Sequence, residues 1–228
     1  MSATIRKLRP FAVLIALSLA AAMGGPLPGF AQEATGTITG RLTLEPAPQA
    51  RRSANRYLGG PTEAHPIQQL PPFVYVVGTV AGAPAEAGTR ATMTQRDTAF
   101  APSVVAVRRG GSVAFPNGDT FFHNVFSYSS AQRFDLGRYP QGESKSVTFP
   151  DAGIVEVFCE VHEFMRGAVV VTENPFHAVV ATDGSFRIAG VPAGEHTIAF
   201  WHPDHQLLEQ RVVVTSGGTA RIEAELRR

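Results

Sequence analysis

Apolar and polar residues alternate with a period of two along most of the chain. Thr37-Ile38-Thr39-Gly40-Arg41-Leu42-Thr43-Leu44 sets the pattern, and it returns in Ser103–Val107, Ser144–Phe149, Ile154–Phe158 and Arg221–Leu226. Successive side chains of a strand point to opposite faces, so each run predicts a half-buried strand. Turn-forming clusters separate the runs: Pro116-Asn117-Gly118-Asp119, Pro140-Gln141-Gly142 and Asp183-Gly184. No long stretch carries a helical period. Short strands at regular spacing predict an all-β chain built as sandwiches or barrels.

The pattern is broken in two places. Arg6, Lys7 and Arg9 precede a 13-residue apolar stretch, Phe11 to Met23, and Gly29-Phe30-Ala31 ends in a small residue. This reads as a secretory signal over 1–31, too short to span a bilayer comfortably. Cleavage after Ala31 leaves 197 residues and removes three basic side chains and no acidic ones. The remainder holds 17 Lys+Arg against 19 Asp+Glu, a net charge near −2 instead of +1. The expected location is periplasmic or secreted, with no integral membrane segment after cleavage. Lys and Arg do not cluster, which argues against a nucleic-acid partner. The second break is Glu45–Pro72, rich in Pro, Arg, Ala and Gly, which reads as a long surface loop before the strand Phe73-Val74-Tyr75-Val76-Val77.

The chemistry gathers around the chain's one cysteine, in Cys159-Glu160-Val161-His162-Glu163-Phe164-Met165. An intramolecular disulfide is impossible, so the thiol is a core side chain, an intermolecular or reactive thiol, or a metal ligand. Phe122-His123-Asn124-Val125 lies upstream in a strand-like stretch. His123, Cys159, His162 and Met165 together supply two imidazoles, a thiolate and a thioether, the donor set of a mononuclear blue-copper site. The thioether is a poor ligand for hard cations. Zinc on His₂Cys with an open position and a Cys–His nucleophilic pair are the competing uses; the nucleophilic pair leaves Met165 unexplained and offers no obvious oxyanion hole. Cys159 ends one strand, Ala168-Val169-Val170-Val171 resumes the next, and the loop between can fold three donors onto one ion.

The segment 85–172 resembles a cupredoxin, with a ligand loop closest to those of amicyanin and pseudoazurin-type proteins. The matching residues include Phe100-Ala101-Pro102, Gly110-Gly111-Ser112-Val113, Asn117, Asp119, His123-Asn124-Val125, Gly142-Glu143, Gly153 and Cys159-x-x-His162-x-x-Met165-Arg166-Gly167. The resemblance implies a Greek-key β-sandwich with one copper cycling between Cu(I) and Cu(II). His123, Cys159 and His162 are then the equatorial ligands and Met165 the axial one, with Asn124 steadying the thiolate loop. It implies a one-electron carrier, not an enzyme, whose partners are redox proteins such as a c-type cytochrome or a periplasmic dehydrogenase. The alternative is a binding module in which copper is cargo or structural. Many relatives carry a proline beside the loop histidine, whereas this chain has Glu160, Val161 and Glu163. Phe121, Phe122, Phe126 and Phe158 are expected to form the apolar shell of the site.

Residues 173–228 resemble the later half of a carboxypeptidase-regulatory-like (transthyretin-like) β-sandwich, through Asp183-Gly184-Ser185-Phe186-Arg187-Ile188 and Val191-Pro192-Ala193-Gly194. The matching early strand is Gly36–Leu44, far upstream, and fewer than 60 residues make a poor sandwich alone. The expectation is a discontinuous module, 34–84 with 173–228, and the cupredoxin domain at 85–172 inserted within it. Contact between Gly36–Leu44 and His196–Trp201 distinguishes this from two domains in series. Trp201-His202-Pro203-Asp204-His205 reads as a turn with exposed imidazoles, with a second metal site as the alternative. His65, His177 and His196 read as structural or surface residues.

Overall fold

The computed structural model describes residues 34–46, 66–84 and 88–228. Residues 1–31, which the sequence reads as a secretory signal, His65 and most of the Glu45–Pro72 stretch lie outside these residues. The first strands are β1 (Thr35–Leu44) and β2 (Phe73–Val76). Ten follow: β3 (Arg90–Thr92), β4 (Thr94–Arg96), β5 (Ala99–Ala101), β6 (Val104–Arg108), β7 (Gly111–Pro116), β8 (Phe126–Ser127), β9 (Phe134–Asp135), β10 (Ser144–Phe149), β11 (Gly153–Phe158) and β12 (Arg166–Thr172). The last are β13 (His177–Val179), β14 (Ser185–Pro192), β15 (Gly194–Trp201), β16 (Leu208–Val214) and β17 (Thr219–Leu226). Among the described residues the fold is all-β.

Two sheets enclose the first core. One runs β10-β7-β3, the other β6-β12-β11-β8-β9. Inward positions at every second residue (Val113 and Phe115, Val147 and Phe149, Val155 and Val157) meet between them around Met93, Phe100 and Tyr139. Alternation is visible in these strands because one face is buried and the other is not.

β12 departs from alternation for the opposite reason. Val169 and Val171 point into the first core, while Ala168 and Val170 point into a smaller cluster with Leu70, Phe73, Val104 and Trp201. Both faces of β12 are covered, so its sequence is continuously apolar. The second cluster fastens β6 and β12 to segments from residues 70–73 and 201.

The second large core lies between the sheets β14-β1-β17 and β13-β2-β15-β16. β1 is the middle strand of its sheet, antiparallel to β14 and parallel to β17, with Thr37 opposite Thr219 and Leu44 opposite Leu226. β2 lies between β13 and β15. Without β1 and β2 each sheet would lose its interior ladder, which is why residues 173–228 look strand-poor alone. Gly36–Leu44 does not pair with His196–Trp201. The two strands lie in opposite sheets, and Ile38 and Leu42 share one core with Ile198 and Phe200.

The end of the Glu45–Pro72 stretch is more ordered than a surface loop. Leu70 is buried, and the Gln68 side chain exchanges two hydrogen bonds with the Phe100 backbone, at 2.7 and 3.0 Å. Gln68 N–H donates to Phe164 O at 2.9 Å, and Arg166 Nε donates to Gln68 O at 2.9 Å. Arg166 also grips Asp204 with both terminal nitrogens, at 3.0 and 2.8 Å.

Two outcomes follow from this packing. A Cβ at Gly40 would collide with the Ile222 carbonyl and the Phe186 ring. Gly40→Ala is therefore expected to cost about 3 kcal/mol, the upper end for overpacking, read from the urea midpoint at unchanged slope. The bond from Arg166 holds the Asp204 carboxyl below its ordinary value of 3.8. A folded value lowered in this way gives stability that is complete above the unfolded value and is lost as pH falls through the folded one. Asp204→Asn should cost about 1–3 kcal/mol at neutral pH. Its deficit against the parent, measured by urea titration at a series of pH values, should close below about pH 4.

Candidate metal centre

Cys159 directly follows β11 and its side chain is buried; His162 lies in the turn beyond, partly exposed, and Met165, fully buried, precedes β12. The tight return is closed by Met165 N–H donating to His162 O at 2.9 Å. His123 comes from the segment between β7 and β8. It is not within a strand, as the sequence predicted, but forms a single bridge with Tyr139, because the chain is still turning out of Asn117-Gly118-Asp119. Tyr139 N–H donates to His123 O at 2.9 Å, and His123 N–H to Tyr139 O at 3.3 Å.

These elements bring three donors together. Cys159 Sγ is 3.6 Å from His123 Nδ1 and 4.0 Å from His162 Nδ1, and the two nitrogens are 3.2 Å apart. All three lie within 4.8 Å of one another. Met165 is fully buried in the same core cluster as Cys159.

Asp119 sets the direction of the first imidazole. His123 Nε2 lies 2.8 Å from Asp119 Oδ2. A carboxylate accepts, so the ring hydrogen sits on Nε2 and the Nδ1 lone pair faces the sulfur. The same carboxylate accepts Asp97 N–H at 2.7 Å and Thr98 N–H at 3.1 Å. Burial pushes the Asp119 carboxyl up, but the bonds from His123, Thr98 and Asp97 outweigh it and hold the group below its ordinary value. Asp97 and Thr98 are both at positive φ, 55° and 56°, the left-handed pair of a two-residue hairpin between β4 and β5. Neither is glycine, and the bonds to Asp119 offset that backbone cost. In the sequence Asp119 reads as a turn residue, and its four-residue spacing from His123 is the signal for this further role.

Asn124 Oδ1 accepts Glu160 N–H at 2.8 Å, tying the residue after the thiol to the segment that carries His123. Asn117 Nδ2 donates to Phe121 O and Tyr139 O, at 2.8 and 3.1 Å. Beneath the site Tyr139 is fully buried. Its hydroxyl donates to Phe115 O at 2.8 Å and accepts from Gln95 Nε2 at 2.6 Å. Burial raises the phenol's pKa, so it stays a neutral donor.

The aromatic shell differs from expectation. Phe121 and Phe122 are exposed, at 41% and 55%, because they precede the bridge and belong to no strand. Phe121 packs on His123 and His162 with ring centroids 5.1 and 5.2 Å away, and Phe164 lies 5.8 Å from His162. Phe126 and Phe158 are half-buried and pack on each other. Glu160 is paired with Arg138 at 2.7 Å on the surface. His177 stacks on Phe73, and His196 Nε2 donates to Pro192 O.

The donor set fits copper. One soft sulfur and two imidazole nitrogens converge, with a buried thioether nearby, and no carboxylate oxygen takes part in the cluster. His123, Cys159 and His162 are the atoms within reach of a single ion. Asn124→Ala and Asp119→Ala, which remove the restraint on the thiol loop and on the imidazole, are each expected to weaken Cu(I) binding by about 10–100-fold. Competition against a chromophoric chelator measures this.

Two families match parts of the chain. Residues 87–172 match the family of copper binding proteins, plastocyanin/azurin family. Residues 162–226 match the ER membrane protein complex subunit 7, beta-sandwich domain. Amicyanin of Paracoccus versutus is 33% identical over 70 residues, 29% of this chain and 53% of the amicyanin, so the chain spans about half the length of that relative. Among solved structures, amicyanin from the same organism is 26% identical, covering 43% of this chain and 96% of its own, with TM-score 0.34. A purple cupredoxin from Nitrosopumilus maritimus is 20% identical, covering 36% of this chain and 99% of its own, also with TM-score 0.34. Residues 87–172 are a cupredoxin domain of the copper-binding plastocyanin/azurin family, carried in one chain with a second β-sandwich.

Proposed function

We propose that the protein is an exported mononuclear blue copper protein that carries one electron at a time between redox partners. The observation that supports this most is the convergence of Cys159 Sγ, His123 Nδ1 and His162 Nδ1 within 4.8 Å, from the β11–β12 turn and the segment between β7 and β8. In this reading those three atoms hold the ion and Met165 supplies the weak fourth donor. Bound copper supplies a reversible one-electron Cu(II)/Cu(I) couple.

The protein's own part is to keep the donors still. Asp119 fixes the His123 ring, Asn124 fixes the start of the loop, and Gln68 and Arg166 brace its far end. Donors that move little on a change of charge lower the reorganisation that electron transfer requires. Burial of Cys159 and Met165 keeps water from the sulfur atoms.

His162 is the cluster's partly exposed member, and exposed Phe121, Phe122 and Val161 lie near it in sequence or space. An electron leaves through this ring edge. The apolar side chains around it suit a small, short-lived contact with a c-type cytochrome or a periplasmic dehydrogenase.

The test is the visible spectrum of the mature chain loaded with Cu(II). An intense thiolate-to-copper band is expected. It should bleach on reduction and return on reoxidation, and be absent in Cys159→Ser. A colourless protein that retains no copper overturns the reading.

A further inference from the structure

A second pair of imidazoles lies in the turn between β15 and β16. His202 Nδ1 and His205 Nδ1 face each other at 2.8 Å, with the ring centroids 4.7 Å apart and the planes at 78°. His202 is 5% exposed, contrary to the exposed turn that the sequence predicted. His205 is partly exposed.

The partners of each ring locate its hydrogen. His205 Nε2 lies 3.0 Å from the Glu45 carbonyl, which can only accept, so Nε2 carries the hydrogen. His202 Nδ1 accepts Asp204 N–H at 3.2 Å, so that nitrogen carries a lone pair. In their neutral forms both Nδ1 atoms present lone pairs to each other at a distance too short for two acceptors. Something positive belongs between them: a metal ion, or a proton that makes one ring an imidazolium.

Burial, and then the neighbouring His205, push the His202 imidazole toward its neutral form, and Arg166 adds to this, while Asp204 works against it. The Asp204 carboxylate is committed to Arg166 through both oxygens and is not a donor here. The arrangement repeats a signature of the copper cluster, where His123 Nδ1 and His162 Nδ1 face each other at 3.2 Å and the far nitrogen of His123 is spent on Asp119.

We propose that His202 and His205 form a second metal site, a bis-imidazole site for a borderline first-row cation, with water completing the shell. Imidazole suits copper, zinc and nickel, and the order of affinities places Cu²⁺ above Zn²⁺. The ion reaches the pair from the His205 side. Binding redirects the His202 Nδ1 lone pair from the long Asp204 N–H contact, and the rings separate to admit the ion.

The test uses the mature chain, loaded with one equivalent of Cu(I) and then titrated with Zn²⁺, while side-chain ¹H–¹⁵N correlations follow each histidine. The Nδ1 resonances of His202 and His205 are expected to shift together and saturate at one ion per chain. His205→Ala, which removes a partly exposed ring, should bind one ion fewer by elemental analysis after dialysis. The proposal is overturned if either Nδ1 carries a proton at neutral pH that zinc does not displace. It also fails if His205→Ala leaves the ion count unchanged. Each ring is read by its own resonance, so failure of copper loading at His123, Cys159 and His162 does not alter the result here.

Discussion

One carboxylate holds the metal centre in register with the sandwich. Asp119 accepts from two backbone N–H groups of the β4–β5 turn and from the His123 ring. If the carboxylate were removed, the turn at Asp97-Thr98 would keep its left-handed backbone without the bonds that offset it, and His123 would be free to choose the other tautomer. The lone pair that meets Cys159 exists because the opposite nitrogen is occupied. The facing of the donor atoms is thus decided by a residue outside the cluster itself.

The sequence is a good guide wherever a single strand face is buried. β1, β6, β10, β11 and β17 lie within about two residues of the alternating runs, because solvent on one side and core on the other writes the period directly into the side chains. The grouping of Cys159 with the two imidazoles was also legible, since a thiol, imidazole and thioether at intervals of three have few other uses. What was hidden depends on distant partners. His123 sits at one bridge because of the Asn117 turn, and Phe121 and Phe122 are exposed for the same reason. Gln68 meets Phe100, Phe164 and Arg166 across 32 to 98 residues, and no local pattern carries such a contact. The burial of His202 follows from its turn packing near Leu70 and Arg166.

The two β-sandwiches share more than a linker. The loop that carries His162 and Met165 has its own hydrogen bonds inside the cupredoxin sandwich, but Phe164 O and Arg166 are held by Gln68 and Asp204, which lie outside it. The small cluster of Leu70, Phe73, Val104, Ala168, Val170 and Trp201 covers the outer face of β12, the strand that follows the loop. The metal loop is therefore braced from one side by its own fold and from the other by its neighbour.

The parallel pairing of β1 with β17 has a mechanical meaning. Thr35 begins β1 and Leu226 ends β17, at opposite ends of a ladder running from Thr37–Thr219 to Leu44–Leu226. Tension applied at those two residues slides the strands along each other, so the whole ladder is strained in shear at once instead of opening rung by rung. The chain enters and leaves residues 88–172 beyond that ladder, so the pull is borne before it reaches the copper domain. A load applied at Thr35 and Leu226 is therefore carried by the whole β1–β17 ladder at once.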